Sequence, residues 1–252
     1  MDMALGWVSG KGDRIFASDI LLLLEVQNNN LFEFQSIFEK GERVTNKLGL
    51  WYSRVMSDSA LIKPFTSEQA LNDLQAAGAV DEKNMAGIVQ SREAFPDVIF
   101  GTYPNKKLKA QPDIFFGSCG LVVSRAVADV LHEAELGKTR LYPLSVCQHD
   151  RVTLVGGEYY LLALGEQKAA FVPERSNRVV PFGNVPDTWI KRGRKPEDFD
   201  FVVRDIALEG VDLWVDPRLR RSLFLSDRLV KSLRAAKVTR RFGLSKCEVV
   251  PT

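Results

Sequence analysis

Two stretches of the chain share one pattern of apolar and polar positions, 102 residues apart. "GLVVSRAVADVLHEAEL" (120–136) and "SLFLSDRLVKSLRAAKV" (222–238) each run from three apolar residues into a serine and then into apolar positions at helical spacing. Ser124 and Ser226 are predicted helix N-caps, because a serine oxygen accepts a hydrogen bond from a free N–H of the first turn. Neither copy has the glycines of a phosphate loop, so the pattern predicts scaffold and pseudo-repetition within the second half of the chain.

The other apolar runs predict several short strands and one further helix. Strands are predicted in "DVIFGTY" (97–103), "RLYPLSVC" (140–147), "GEYYLLAL" (157–164), "FDFVVRDIAL" (199–208) and "VDLWVDP" (211–217), and further apolar runs lie at 19–26 and 31–38. "FTSEQALNDLQAAGAV" predicts a helix that a capping box of Thr66 and Gln69 opens and that Gly78 closes. Because helices and strands alternate irregularly, we expect an α+β fold with packed helices on a mixed or largely antiparallel sheet, in one body or in two intimately packed lobes.

A polar segment and the distribution of charge suggest two parts. "PNKKLKAQPD" (104–113) is basic and bracketed by prolines, so it is the predicted boundary between an acidic N-terminal lobe (1–104) and a C-terminal region (105–252). Residues 1–104 carry a net charge of −5, residues 105–190 of +1 and residues 191–252 of +6. The asymmetry has three interpretations: an acidic face for a basic partner, a basic face for nucleic acid, or two ends that attract one another.

Composition favours a soluble, cytoplasmic protein. With 252 residues, 45% of them hydrophobic, the chain can bury a substantial core. Its longest aliphatic run, "ILLLL" at 20–24, is too short to span a bilayer, and the first residues lack the features of a signal peptide, so no membrane association is expected. The three cysteines are widely spaced without a CxxC pair, which predicts free thiols in a reducing compartment.

Candidate chemistry is sparse. "VCQHD" (146–150) brings Cys147, His149 and Asp150 together, which could begin a metal site or a thiol–imidazole pair, but no second ligand cluster is visible. "GWVSGKGD" (6–13) fails the phosphate-loop pattern because Gly12 follows Lys11 where serine or threonine is required. The sequence therefore predicts no enzyme activity, catalytic residue, bound metal or cofactor.

Binding is the better-supported class of function. Basic clusters at 106–109, 191–195, 218–221 and 239–241 could contact phosphates, but acids lie beside them, which makes nucleic acid the less favoured partner. Trp189, Arg192 and Arg194 lie in the polar segment "VPDTWIKRGRK", and tryptophan and arginine are enriched at protein interfaces. These three are the predicted partner-binding residues; the alternative is that Trp189 packs into the core and pins its loop.

The order of motifs in the second half resembles one protein family. "PDIFFGSCGLVVSRAVADVLHEAEL", "GEYYLLAL", "PERSNRV" and "VDLWVDPRLRRSLFLSDRLVKSLRAAKVTRRFGL" follow one another as in the immunity proteins encoded beside bacterial polymorphic toxins, a group formerly known only as a domain of unknown function. The resemblance covers about residues 112–247. It is carried by Ser124, Tyr159, Tyr160, Trp214, Ser226 and Leu233.

The resemblance implies a protein that acts by binding. Such a protein would bind its cognate toxin effector domain in the cytoplasm of the producing cell or its siblings, and block the active site or the path of the substrate. The acidic first 104 residues would suit a basic toxin by charge complementarity. Two alternatives stay open: a nucleic-acid-binding regulator that uses the basic C-terminal third, and a small enzyme centred on Cys147, His149 and Asp150.

Overall fold

The computed structural model describes residues 49–193 and 195–252, and these form the expected α+β fold. The predicted runs at 19–26 and 31–38 lie outside the described residues. The helices among the described residues are α1 (Glu68–Asn72), α2 (Leu74–Met85), α3 (Arg125–His132) and α4 (Asp227–Ala235). The strands are β1 (Leu50–Ser53), β2 (Phe65–Thr66), β3 (Val98–Gly101), β4 (Ile114–Gly117), β5 (Gly120–Ser124), β6 (Arg140–Cys147), β7 (Tyr159–Ala163), β8 (Val179–Pro181), β9 (Trp189–Lys191), β10 (Val202–Arg204), β11 (Leu213–Trp214), β12 (Leu223–Ser226), β13 (Leu244–Lys246) and β14 (Glu248–Val250).

The described strands form one large sheet and three smaller ones. The large sheet has the order β2-β3-β6-β7-β5-β4, with β3 parallel to β6 and all other neighbours antiparallel. A four-stranded antiparallel sheet has the order β11-β12-β1-β13, and β10 pairs in parallel with β14. The remaining sheet is the β8–β9 hairpin. The prediction of a mixed and largely antiparallel arrangement is confirmed.

Both serine elements form the predicted strand, serine and helix, but only one serine caps with its side chain. Ser226 Oγ accepts a hydrogen bond from the N–H of Leu229 at 3.1 Å and donates one to the carboxylate of Asp212. Ser124 also precedes the first residue of its helix, but its Oγ donates to Asp113 Oδ1 at 3.0 Å and accepts nothing from the helix. The prediction of an N-cap is therefore confirmed for Ser226 and wrong for the Ser124 side chain.

The repetition extends well beyond these helices and includes the first half of the described chain. We call residues 50–147 repeat 1 and residues 159–250 repeat 2. In repeat 1, β3 runs parallel to β6, β4 pairs with β5, and α3 follows β5. In repeat 2, β10 runs parallel to β14, β11 pairs with β12, and α4 follows β12. The sequence analysis placed the pseudo-repetition in the second half alone, and that placement is wrong.

The first strand of each repeat is exchanged. β1 belongs to repeat 1 but pairs with β12 and β13 of repeat 2, where Leu50 lies opposite Ser226. β7 belongs to repeat 2 but pairs with β5 and β6 of repeat 1, where Tyr159 lies opposite Ser124. Each repeat therefore receives its central strand from the other one, and neither sheet is complete within its own repeat.

The cores follow the same arrangement. A central cluster is shared, and it includes Trp51, Leu131, Leu162 and Leu233, from both repeats and both packed helices. Two flanking clusters correspond to one another. The cluster around Phe115, Val122 and Leu161 belongs to the repeat 1 sheet. The cluster around Trp214, Phe224 and Tyr52 belongs to the repeat 2 sheet, and these three residues occupy the equivalent positions.

Two features near the predicted boundary differ in detail from the expectation. The helix after β2 is capped by Ser67, which accepts from the N–H of Ala70 at 3.2 Å, while Thr66 ends the strand. The predicted helix is interrupted at Asp73, which follows α1 and caps α2. Gly78 therefore lies inside α2 and does not end a helix. β3 and β6 pair across residues 104–113, so strands from both sides of the predicted boundary share a sheet. The proposed lobe of residues 1–104 lies partly outside the described residues.

Candidate binding surface

Two insertions distinguish the repeats. Between β2 and β3, repeat 1 carries residues 67–97, which contain α1 and α2; we call them the helical insert. At the equivalent place, repeat 2 carries residues 172–201, which contain the β8–β9 hairpin; we call them the hairpin insert. Among the described residues, neither insert has a counterpart in the other repeat. Because the rest of the scaffold is duplicated, these inserts are the parts that give one repeat a surface the other lacks.

The helical insert reaches from repeat 1 onto repeat 2. Asn84 on α2 is 1% exposed, and its Nδ2 donates to the carbonyl of Leu162 at 3.2 Å. Its Oδ1 accepts from the N–H of Leu164 at 2.8 Å. Gly87 has a φ of +72°, and a Cβ there would lie 2.5 Å from Val215 Cγ2. The turn that ends α2 is therefore in tight contact with Val215, the residue that follows β11. Both contacts hold the insert at the junction of the repeats.

The hairpin insert contains the predicted binding residues. Trp189 is partly buried, and its side chain packs on the core of the repeat 2 sheet. Its backbone N–H donates to the carbonyl of Arg218 at 2.7 Å, and its backbone carbonyl accepts from the backbone N–H of Arg220 at 2.9 Å. The alternative that Trp189 pins its segment is thus what the contacts describe. Arg192 is exposed, and Arg194 lies outside the described residues. Their role in partner binding stays a prediction.

The loop at 216–221 contacts both inserts. Asp216 is 3% exposed, and one of its oxygens accepts from the backbone N–H groups of Ala170 and Phe171 at 2.8 and 2.7 Å. Burial raises the pKa of this carboxyl, and those hydrogen bonds oppose the rise. Arg220 pairs with Glu82 of the helical insert at 3.0 Å and stacks over Phe182 of the hairpin insert. One arginine therefore contacts both inserts.

Two neighbouring cavities, of about 240 and 250 Å³, lie at this junction. Met85 and Arg221 line both of them. The first is bordered by Ile62, Asp81 and Phe116, and the second by Val185 and Thr188. We call the first cavity the Ile62 groove.

Asp81 is the charged group that the sequence analysis missed on the wall of the Ile62 groove. Its Oδ1 is buried without a hydrogen-bond partner among the described residues. Burial raises the pKa of this carboxyl, the charge of Arg221 lowers it, and the neighbouring Glu82 raises it. Arg221 itself has a φ of +54°, in the left-handed region that side chains other than glycine seldom occupy.

Several large apolar side chains on the inserts are exposed. Leu74 is 75% exposed on α2, and Leu71 precedes it on the helical insert. Val185 and Phe199 are exposed on the hairpin insert, and Ile62 is 65% exposed beside the groove. Of these residues, Ile62 and Val185 line the two cavities, and exposed apolar side chains that group together mark sites of protein association.

The triplet Cys147, His149 and Asp150 shows structural contacts. Cys147 is buried at the end of β6, and this burial raises the pKa of its thiol, which disfavours a nucleophilic thiolate. Asp150 accepts from the N–H groups of Val152 and Thr153 in the turn that follows, and a ring nitrogen of His149 contacts the carbonyl of Gly101 at 2.9 Å. All three cysteines are buried free thiols.

Metal and membrane sites are not evident in the part of the chain that the structure describes. Within it, no three histidine, cysteine, aspartate or glutamate side chains are grouped to hold a metal ion. None of its helices has both the length and the apolar character needed to cross a bilayer.

Many charged residues of the sequence clusters are engaged within the fold. Arg218 of "RLRR" pairs with Asp187 at 2.7 Å, and Arg220 pairs with Glu82. Glu68 of the acidic first half pairs with Arg151 of the second half. These contacts fit the interpretation in which oppositely charged parts of the chain attract one another, and they leave fewer arginines available to phosphates.

No protein-family model matches the chain, and no curated protein matches it either. The resemblance to toxin immunity proteins therefore stays a prediction that rests on the ordered motifs quoted above.

Proposed function

We propose that the protein is an immunity-type inhibitor that binds a cognate bacterial toxin effector domain in the cytoplasm and neutralises it without chemistry of its own. The observation that carries the proposal is that both inserts line the second of the two cavities, which lies beside the Ile62 groove. A duplicated scaffold carries them, and the cavities that they line combine exposed apolar side chains with charged ones. An apolar patch with a polar rim is the composition that protein interfaces favour.

The ordered motifs of the second half support the same class of function. The strand, serine and helix elements that carry the resemblance form the scaffold of both repeats. The helical insert lies outside the matched residues, whereas the hairpin insert begins with the matched segment "PERSNRV". Families of inhibitors gain specificity by varying surface segments on a constant scaffold. The helical and hairpin inserts are the segments of this chain that fit that role.

Co-expression with the toxin domain encoded beside the gene tests the proposal. We expect the protein to restore growth and to co-purify with the toxin. Val185→Glu places a charge on the wall of the cavity that both inserts line, and we expect it to weaken the complex more than tenfold, because burying an unpaired charge at an interface is costly. Val152→Glu is the matched control: Val152 is 82% exposed and lies on the connection between the repeats.

A second pair of variants separates this proposal from an enzyme. Cys147→Ala and His149→Ala remove the two groups on which the small-enzyme alternative depends. Protection that survives both replacements fits an inhibitor that acts by binding. Loss of protection by a variant that still folds and still binds the toxin would contradict the proposal.

A further inference from the structure

The two repeats contain one equivalent groove each, and this chain covers one of them itself. In repeat 2, Gln167 forms a parallel bridge with Val215; in repeat 1, Ile62 forms the same bridge with Phe116. The neighbouring hydrogen bonds also correspond, since Lys168 donates from its N–H to Val215 and Lys63 donates to Phe116. Both bridges therefore present the same backbone surface at the edge of the shared core.

The turn after α2 covers the repeat 2 bridge. Gln167 Nε2 donates to the carbonyl of Ala86 at 2.7 Å. A Cβ at Gly87 would lie 2.9 Å from the carbonyl oxygen of Glu166 and even closer to the side chain of Val215, so only glycine fits. A helical C-terminal turn with a glycine is thus the shape that this surface accepts.

Within residues 49–193 and 195–252, no segment covers the repeat 1 bridge in this way. Ile62 is 65% exposed there, and the Ile62 groove of about 240 Å³ lies over the bridge. The difference arises because repeat 2 has a hairpin insert where repeat 1 has helices, so repeat 2 supplies no turn equivalent to Ala86–Gly87. The surface that the chain buries on one repeat is consequently accessible on the other.

We propose that the Ile62 groove receives a helical turn of the toxin partner, which docks on repeat 1 as the turn at Ala86–Gly87 docks on repeat 2. This inference rests on the proposed function and names the kind of segment that the partner contributes. Its chemistry differs from that of the covered groove in both bridge residues, where Ile62 stands for Gln167 and Phe116 for Val215, and in the carboxyl of Asp81. Ile62 replaces Gln167, so an aliphatic side chain of the partner takes the place of a carbonyl. Asp81 lines the groove and adds a carboxyl beside that side chain, and its Oδ1 is buried without a hydrogen-bond partner among the described residues.

The inference is tested by Ile62→Glu in a titration of the purified protein with the toxin domain encoded beside its gene. A charge at this exposed position in the wall of the groove should raise the Kd about 30-fold or more, the effect expected for loss of a central interface contact. Val152→Glu should leave the Kd unchanged, since it adds the same charge at an exposed valine away from the groove. Unchanged melting temperatures of both variants show that the fold is intact, as expected for exposed positions.

A label supplies a second measurement that does not depend on tolerance of the mutation. Because the three native cysteines are buried, Ile62→Cys can be modified selectively with an environment-sensitive fluorophore. Complex formation should shift its emission to the blue and protect it from quenchers. If the wild type does not bind the toxin, the proposed function is wrong. If the wild type binds while Ile62→Glu binds equally well and the label stays accessible, the function stands and the docking site is overturned.

Discussion

Repeats 1 and 2 share a scaffold and differ in what they carry between equivalent strands. Each has a central strand received from the other repeat, a strand pair that ends in a serine and a helix that packs on the common core. Repeat 1 then adds helices and repeat 2 adds a hairpin. Where the repeats agree, the residues serve folding; where they differ, a groove with exposed apolar side chains forms. The proposed binding site therefore lies where the internal symmetry is lost.

The largest expected effect comes from breaking the exchanged strand. Leu161 belongs to repeat 2 but is fully buried in the sheet of repeat 1. Leu161→Ala should cost about 2–5 kcal/mol of unfolding free energy, the range for a large-to-small change in a core. Because each repeat depends on the other for a strand, chemical denaturation should still show one cooperative transition, shifted as a whole.

Leu154→Ala is the control for this prediction. It removes the same atoms from a leucine that is 66% exposed, and it should change the stability by less than about 0.5 kcal/mol. Hydrogen exchange of the Leu161 variant should lose protection in strands of both repeats. Two separate transitions, with repeat 2 unaffected, would show that the repeats fold independently despite the exchange.

The sequence predicts the local parts of this architecture and not its long-range pairing. The strands, the two helices after the serines and the α+β class follow from periodicity and capping, which are local properties. The exchange joins Leu50 to Ser226 across most of the chain, and no local pattern encodes such a pairing. Only the part of repeat 1 from Gly120 onwards shows a match in sequence, because inserts and loops of different length shift the spacing of the earlier equivalent strands.

The groove was less predictable than the fold. Trp189 was singled out by residue type, and the structure places it beside the junction where it fixes the hairpin insert. Asn84 and Asp81 follow the segment predicted as a helix and Ile62 precedes it, and no motif in the sequence singles them out. The helix that carries Asn84 was predicted to stop at Gly78, so that residue fell outside the helix. Its significance depends on contacts with residues some 80 positions away.

The next largest effect concerns the bridge between the helical insert and repeat 2. Asn84→Ala removes the partner of both the Leu162 carbonyl and the Leu164 N–H, which are buried. Leaving such groups unpaired should cost about 1–3 kcal/mol. Asn72→Ala is the control, because Asn72 is exposed on α1. Thermal or urea denaturation measures both; equal effects would mean that the bridge contributes nothing specific.

A smaller effect separates the two serines. Ser226→Ala removes a cap hydrogen bond to Leu229 as well as a bond to Asp212, and should cost about 1–2 kcal/mol. Ser124→Ala removes only the bond to Asp113, and should cost about 0.5–1 kcal/mol. Paired urea titrations test the difference. A cost at Ser124 as large as that at Ser226 would show that cap geometry does not distinguish the repeats.

The smallest effect concerns acid sensitivity, because Arg228 occupies a position where repeat 1 has Ala126. Burial alone would raise the pKa of Asp212, but hydrogen bonds from Arg228, Ser226 and the N–H of Glu135 outweigh it and hold that pKa below its ordinary value. A carboxyl with a depressed pKa in the folded state stabilises the protein above its unfolded pKa of about 3.9. That stabilisation is lost as the pH falls through the folded pKa.

Arg228→Ala gives repeat 2 the residue that repeat 1 has, and it should raise the folded pKa of Asp212 toward the ordinary value. The variant should therefore be less stable than the wild type near pH 7, and the two should converge as the pH falls below the ordinary aspartate pKa and through the lowered folded pKa of Asp212. Arg241→Ala, which removes one exposed positive charge away from Asp212, should run parallel to the wild type over the same range. Urea titrations at several pH values measure this. If Arg228→Ala also runs parallel, the ion pair does not account for the acid sensitivity, and the difference between the repeats lies in their inserts alone.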